Sequence, residues 1–131
     1  MTHEIIHPRN VHSTKGVGYA HVAKVGPTLY IAGQIALDID GHVVGQGDIE
    51  VQVRQVYTNL TAILEELGGS LANIVKLTTY LTKREHLAGL RKVRNEVFPE
   101  PFPPNTLLFI GGLASEDYLV EIEAIAVIDD A

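Results

Sequence analysis

Two acidic residues, Glu121 and Glu123, lie two positions apart in an otherwise apolar segment near the end of the chain. Side chains alternate across a β-strand, so a strand over residues 119–128 would place both carboxylates on one face. The other face would be wholly apolar and would consist of Val120, Ile122, Ala124, Ala126 and Ile128. Because a buried, unpaired carboxylate is strongly destabilising, we expect these two groups either to reach water or to serve in chemistry.

The remaining reactive side chains form no recognised catalytic or ligand motif. The chain has no cysteine, which excludes disulfides, thiolate metal sites and a cysteine nucleophile. His3 and His7 are four positions apart, but Pro8 and the terminal location argue against a helical metal site there. Gly45 and Gly47 precede a helical segment without the rest of a nucleotide-binding fingerprint. The sequence therefore predicts neither a metal nor a cofactor.

The composition predicts one globular domain, residues 1–131, with 46% hydrophobic and 20% charged residues. The net charge is −6 and Lys and Arg form no block, which argues against nucleic acid as a partner. No apolar run approaches the roughly 20 residues that span a bilayer, so no membrane association is expected. The first residues lack the pattern of a secretory signal, so we expect a cytoplasmic protein.

Alternating segments predict several β-strands. Residues 1–12 form a lead-in that could add an edge strand, and residues 19–25 and 28–37 form a hairpin around Gly26-Pro27. Further strands are predicted over residues 74–82, 106–110 and 119–128. Gly33 lies inside a strand pattern, where a glycine marks either a bulge or a close approach by a ligand or another backbone.

Two segments have the 3.6-residue periodicity of helices. The first follows Asp48, a good N-cap, and ends at Gly68-Gly69. The second is predicted from near Arg84 to Phe98. The order of the segments fits an α+β domain with one mixed sheet and two helices on one face. The other sheet face would be left uncovered although many of its residues are apolar, which predicts oligomerisation.

Several short motifs occur together in an order that identifies a family. They are Tyr19 with His21, Ala32-Gly33-Gln34, the run 75–82, Phe102-Pro103-Pro104-Asn105-Thr106, and Val120-Glu121-Ile122-Glu123-Ala124-Ile125-Ala126-Val127. With these motifs the chain resembles the RidA (YjgF) family, formerly called the L-PSP endoribonucleases. The resemblance implies a chorismate-mutase-like fold with a six-stranded mixed sheet, and a homotrimer with a central barrel and clefts between subunits.

The resemblance also implies an activity, the cofactor-free hydrolysis of reactive enamines and imines to a carbonyl compound and ammonia. Glu121 matches the family's cleft glutamate, which positions the attacking water, and Tyr19 matches a cleft tyrosine. Gly33 matches a glycine whose backbone faces the ligand. Asn105 stands where archetypal deaminases have an arginine that grips the substrate carboxylate. Asparagine carries no charge and cannot replace that grip, so the chain resembles an arginine-less branch whose substrate is not 2-aminoacrylate.

Two further residues are candidates for ligand binding. Arg91 falls on a helix position near the cleft of archetypal members, and we hypothesise that it supplies a displaced cation for an acidic ligand. The alternative for Arg91, and the simplest interpretation of Arg94 on the same helix, is a solvated helix face. In a regular strand His21 would share a face with Tyr19 and line the cleft.

Three functions follow from the resemblance. The first is an imine or enamine deaminase acting on a small-molecule substrate. The second is a trimer that binds a small metabolite without turning it over. The third, RNA cleavage, rests on the older family name, and the acidic net charge argues against it. The structural alternative for Glu121 is a hydrogen-bonded carboxylate at a subunit interface, and for Tyr19 an interface aromatic.

Overall fold

The alternating segments form one six-stranded mixed sheet in the computed structural model, which describes residues 2–129. The strands are β1 (Glu4–Ile6), β2 (Val22–Val25), β3 (Thr28–Gln34), β4 (Ile74–Leu81), β5 (Asn105–Phe109) and β6 (Val120–Val127). Their order across the sheet is β1-β2-β3-β6-β4-β5. Only β4 and β5 pair in parallel, whereas the other neighbouring strands are antiparallel. The predicted hairpin is thus the β2–β3 pair, and the strand with the two carboxylates lies inside the sheet.

Two α-helices connect the strands, α1 (Ile49–Glu66) and α2 (Leu87–Val97). The predicted cap is present, since the side chain of Asp48 accepts a hydrogen bond from the backbone N–H of Val51 at 3.2 Å. Short 3₁₀ turns over Leu71–Asn73 and Arg84–His86 precede β4 and α2. Across residues 2–129, every helix is too short or too polar to traverse a bilayer.

Both α-helices pack on one face of the sheet, as predicted. The β6 side chains that point toward them, Val120, Ile122, Ala124 and Ala126, are at most 3% exposed. From α1 they meet a stripe of fully buried residues, Val53, Val56, Leu60, Ile63 and Leu64. The apolar residues repeat every two residues in β6 and every 3.6 residues in α1. Each repeat produces one apolar face, and the two faces are buried against each other.

The other face of the sheet has no covering layer among the described residues. Ile5, Tyr30 and Leu108 point to this face and are 49%, 49% and 44% exposed. Beside them lies a groove of about 450 Å³ whose wall includes Ile125 and Glu123. An apolar sheet face of this kind is typical of a surface that meets another protein chain.

Three of the predicted element boundaries differ from the structure by three residues. The strand predicted from Tyr19 begins only at Val22, because the preceding residues form turns with Gly16 and Gly18 at positive φ. The second hairpin strand ends at Gln34, because the side-chain amide of Asn59 on α1 donates hydrogen bonds to the carbonyl oxygens of Ile35 and Leu37 at 3.0 Å each. No local sequence pattern encodes this tertiary contact. The second helix begins with the 3₁₀ turn and becomes α-helical at Leu87.

A buried glutamine fixes the loop that leads into β6. Gln52 of α1 is fully buried, and its amide N–H groups donate to the carbonyl oxygens of Gly45 and Asp117 at 3.1 and 2.9 Å. Its carbonyl oxygen accepts from the N–H of Leu119 at 3.0 Å. One side chain thus satisfies three backbone groups, and it holds the chain in place just before the strand that bears Glu121.

Replacing Gln52 by methionine should be strongly destabilising. Gln52→Met keeps the volume of the side chain but leaves the three backbone groups without their partner, for an expected loss of about 2–5 kcal/mol. Chemical denaturation followed by circular dichroism measures this loss. Thr58→Met, an exposed position on the same helix, is the matched control and should change stability by less than about 0.5 kcal/mol. Equal effects at the two positions would contradict the assignment.

Candidate functional site

The carboxylate of Glu121 lies directly against the backbone of Gly33. Glu121 is on β6 opposite Tyr80, on the open face of the sheet, and Gly33 is on the neighbouring strand β3. A Cβ atom added at Gly33 would come within 2.6 Å of the Glu121 carboxyl carbon and of one carboxylate oxygen. The register of β3 and β6 shifts between Ile31 and Gln34, as the predicted bulge requires, and the group that approaches the Gly33 backbone is the side chain of Glu121 and not another backbone.

The surroundings of Glu121 favour its protonated form more than water does. Partial burial raises the pKa of the Glu121 carboxyl above its usual range, and the negative charge of Glu123 on the same face raises it further. Glu123 is exposed and accepts a hydrogen bond from the Tyr80 hydroxyl at 3.0 Å. The two carboxylates therefore differ in environment, and Glu121 is the one placed to exchange a proton.

Tyr19 lies on the loop before β2, beside Glu121. Its side chain is 43% exposed, and its ring is 6.2 Å from the ring of His21 in an edge-to-face arrangement. Burial raises the pKa of the Tyr19 hydroxyl, and the charge of Glu121 raises it further. The hydroxyl thus remains a donor at neutral pH. The structure brings together three of the predicted site residues, Glu121, Gly33 and Tyr19.

His21 belongs to the wall of the open-face groove, while both of its ring nitrogens are hydrogen-bonded within the chain. It is 2% exposed, and its Nε2 lies 2.8 Å from the carbonyl oxygen of His12. Gln34 donates to its Nδ1 at 3.0 Å. Because His21 lies outside the regular strand, its ring turns inward, and both ring nitrogens are engaged within the chain. This arrangement favours a structural role, which holds the loop of Tyr19 against β3.

His12 is a buried residue that the sequence pattern did not single out. Its ring meets that of His21 edge to face at 4.8 Å, and neither of its ring nitrogens has a hydrogen-bond partner among residues 2–129. Burial lowers the pKa of His12, and the nearby His21 lowers it further. The residue is therefore neutral at physiological pH. The isolated histidine in the sequence carried no spacing signal that could have indicated this pairing.

Asn105 lies on the opposite side of the sheet from Glu121. It begins β5 in register with Leu77 of β4, so its side chain points to the helix-covered face. There its Oδ1 accepts a hydrogen bond from the hydroxyl of Thr79 at 2.9 Å. Within one chain, Asn105 and Glu121 therefore cannot contact the same small molecule.

The arginine beside Asn105 is Arg94 and not Arg91. A small cavity under α2 is lined by both Asn105 and Arg94. Arg91 is exposed on the same helix and does not belong to the wall of this cavity. The helical position of Arg94, four residues after the buried Leu90, turns it toward the sheet, whereas Arg91 faces solvent. The predicted role of Arg91 in a cleft between subunits stays a prediction.

Within residues 2–129, one group of side chains has the composition of a metal site. Asp38, Asp40 and His42 have ligand atoms within 4.8 Å of one another in the loop after β3. Asp38 already accepts the backbone N–H groups of Asp40 and His42 at 3.0 and 2.9 Å, as in an ordinary acidic turn. The hydrogen bonds of this turn account for the cluster without a metal.

The sequence model of the family described as Endoribonuclease L-PSP matches residues 13–128. A RutC family protein of Pyrococcus horikoshii is 40% identical over 124 residues, which cover 94% of this chain and 96% of that protein. The chain therefore belongs to the Endoribonuclease L-PSP family, which confirms the family resemblance found in its motifs.

Two further relatives extend this comparison to fold and activity. The crystal structure of RidA from an Antarctic Psychrobacter superposes with a TM-score of 0.87 at 32% identity, covering 95% of this chain and 99% of that one. The predicted RidA (YjgF) fold, a six-stranded mixed sheet with two helices, is thus confirmed. A Dermatophagoides farinae protein that is 29% identical over 111 residues, 85% of this chain and 86% of that protein, is named 2-iminobutanoate/2-iminopropanoate deaminase.

Adding a methyl group at Gly33 should displace the Glu121 carboxylate. The φ of Gly33 is accessible to alanine, and the clash is with a flexible side chain, so the fold should persist. In Gly33→Ala the carboxylate moves toward water, and the pKa of Glu121 falls toward its ordinary value because desolvation is relieved. Carboxyl-carbon NMR titration measures this pKa. Gly111→Ala adds a methyl group in open space and should leave the pKa unchanged. An unchanged pKa in Gly33→Ala would refute the contact.

Proposed function

We propose that the protein hydrolyses a reactive imine or enamine metabolite to a carbonyl compound and ammonia without a cofactor. The observation that carries the proposal is the half-buried Glu121 carboxylate, set against the Gly33 backbone and beside the Tyr19 hydroxyl. The relative from Dermatophagoides farinae, named as an imine deaminase, supports the same reaction class. An imine carbon is already electrophilic, so one well-placed carboxylate and a bound water are sufficient for the attack.

The proposed mechanism uses one proton acceptor twice. The Glu121 carboxylate takes a proton from water as the water oxygen bonds to the imine carbon, and it passes this proton to the imine nitrogen, which gives a neutral carbinolamine. Glu121 then takes the proton of the carbinolamine hydroxyl as the C=O bond forms and gives it to the nitrogen as the C–N bond breaks, so that ammonia and the carbonyl product leave. A pKa raised by burial suits both steps, because the same group must accept and release a proton near neutral pH. Tyr19 donates to the substrate, and Gly33, which has no side chain, lets the substrate approach its backbone closely.

The complete site is formed between copies of the chain in this proposal. Glu121 and Asn105 lie on opposite sheet faces of one subunit, so a ligand that contacts both must lie where one subunit's open face meets a neighbour's β5 edge. The exposed apolar residues of the open face, among them Tyr30 and Leu108, supply the contact surface of the homotrimer. Asn105 then orients the substrate in place of the family arginine, so the substrate is an imine other than 2-aminoacrylate.

Replacing Glu121 by glutamine should remove catalysis and leave the fold intact. We expect Glu121→Gln to lower the rate by about 10²–10⁴-fold, the usual contribution of a general base. Ammonia release is measured from a panel of imines that an amino-acid oxidase generates in situ, with the spontaneous rate subtracted. Glu65→Gln, at an exposed position on α1 on the other side of the sheet, is the matched control and should retain full activity.

The same assay distinguishes between the two proposed functions, imine hydrolysis and the binding of a metabolite without catalysis. If Glu121→Gln keeps the wild-type rate on an accepted imine, the proposed base is wrong. If the wild type never exceeds the spontaneous rate on any imine, the deaminase proposal fails. The alternative, a trimer that binds a small metabolite without catalysis, then takes its place.

The pH dependence of the reaction rate should change when the charge of Glu123 is removed. Activity requires ionised Glu121, so the rate rises as pH increases through the pKa of this group. The negative charge of Glu123 helps raise that pKa, so Glu123→Gln should lower it and shift the acidic limb of the profile to lower pH. Tyr80→Phe removes the hydrogen bond to Glu123 but keeps its charge, and should leave the limb in place. A limb that moves to higher pH in Glu123→Gln would contradict this coupling.

A further inference from the structure

A second large pocket, here called the N-terminal pocket, lies between residues 7–15 and the loop after β3. Its volume is about 640 Å³, and its wall includes the buried Pro8 and Val11 and the exposed Ile39. Ligand pockets usually have volumes of about 300–1,000 Å³, so this one has room for a single metabolite-sized molecule. It shares only His21 with the groove on the open face, and Glu121 is not part of its wall. The N-terminal pocket is therefore distinct from the candidate catalytic site.

Backbone hydrogen bonds hold the wall of the N-terminal pocket in place. Both carboxylate oxygens of Glu66 on α1 accept the N–H of Arg9, at 2.9 and 3.1 Å, and one of them also accepts the N–H of Asn10 at 3.0 Å. The carbonyl oxygen of His12 lies 2.8 Å from Nε2 of His21. These contacts use the backbone of the segment, so the side chains of Arg9 and His12 remain available to a ligand. A preformed wall of this kind is typical of small-molecule sites.

The imidazole of His12 is the buried polar group in this wall. The residue is 5% exposed, and neither of its ring nitrogens has a hydrogen-bond partner among residues 2–129. A neutral imidazole has one N–H donor and one acceptor nitrogen. Because buried polar groups in folded proteins nearly always have a partner, the free nitrogens of His12 point to a group that enters the pocket.

The charges around the N-terminal pocket favour an anion. Arg9 and Lys15 both belong to its wall, and neither forms a salt bridge within residues 2–129. Among the described residues, no Asp or Glu belongs to this wall. Asp38 is near enough for its charge to act on His12, but its carboxylate accepts the N–H groups of its own turn. Two cations are thus placed together in a chain whose net charge is −6.

We propose that the N-terminal pocket binds an organic phosphate monoester, whose phosphate is held by Arg9, Lys15 and the N–H of His12. A phosphate monoester carries close to two negative charges at neutral pH and has three strong acceptor oxygens, which match two cations and one further donor. A single carboxylate would neutralise only one of the two cations. The apolar part of the wall contacts the organic group. This site is independent of the proposed imine hydrolysis, since none of its three binding residues takes part in that reaction.

Calorimetry with phenyl phosphate tests the site without any need for turnover. Inorganic phosphate lacks the apolar group and phenol lacks the charge, so we expect phenyl phosphate to bind more tightly than either. Arg9→Gln and Lys15→Gln should each weaken phenyl phosphate by about tenfold, as the loss of one charge-assisted contact does. Lys83→Gln removes an exposed lysine outside the pocket and is the matched control, with unchanged affinity.

Two variants of His12 separate a binding role from a structural one. His12→Phe keeps a flat ring but removes both nitrogens, so it should weaken phenyl phosphate by about tenfold. Its thermal unfolding temperature should not fall, because no side-chain hydrogen bond within residues 2–129 is lost. His12→Gln keeps a side-chain N–H donor and should retain part of the affinity.

Several results would overturn the proposed phosphate site. The wild type could fail to bind phenyl phosphate, or could bind inorganic phosphate as tightly. Equal losses in Lys83→Gln and Arg9→Gln would show only general attraction between charges. A lower unfolding temperature with unchanged affinity in His12→Phe would make His12 structural. A changed affinity in Glu121→Gln would place phenyl phosphate at the candidate catalytic site instead.

Discussion

The position of β6 in the sheet is the constraint on which the rest of the structure depends. Its neighbours are β3 and β4, and its apolar side chains are buried under α1. Because side chains alternate, a slip of one residue would turn Glu121 and Glu123 under the helices and expose the apolar set. The free energy of burying Ile122 and its neighbours therefore fixes the register, and the register fixes the carboxylates on the open face. The same strand therefore contributes to the stability of the fold and positions the carboxylates of the candidate site.

The contact between Glu121 and Gly33 depends on this register and on the absence of a side chain. A Cβ atom at position 33 would overlap the carboxyl group where it now lies, so the carboxylate could not keep this position beside a larger residue. The glycine is thus required by its neighbour on β6 and not by its own φ. The shift in register beside it lets the backbone approach without breaking the ladder elsewhere. Partial burial of the carboxylate follows from the same approach, and so does its raised pKa.

The elements were predictable because each has a strong local pattern. The alternation in β6, the stripe of α1 after Asp48 and the turn at Gly26-Pro27 all have counterparts in the structure. The relation between sheet faces was not predictable, because it depends on the register of β5 with β4, which no local pattern encodes. The same holds for the inward turn of His21, which depends on a hydrogen bond from Gln34 thirteen residues away. Which arginine of α2 lies beside Asn105 depends on the rotation of this helix about its axis, which the sequence does not give.

Because Glu121 and Asn105 lie on opposite faces of the sheet, the proposed activity depends on the proposed assembly of subunits. One chain offers a proton acceptor on its open face and hydrogen-bond donors on its helix-covered face, so in the proposed assembly a single chain would hold half of each of two sites. Burying the open face against a neighbour would remove apolar surface from water and at the same time bring the two halves together. The same apolar contact would desolvate Glu121 further and raise the pKa of its carboxyl, in the direction that general acid–base chemistry requires. In such an arrangement a weakened interface would lower activity before it lowered the stability of the single chain.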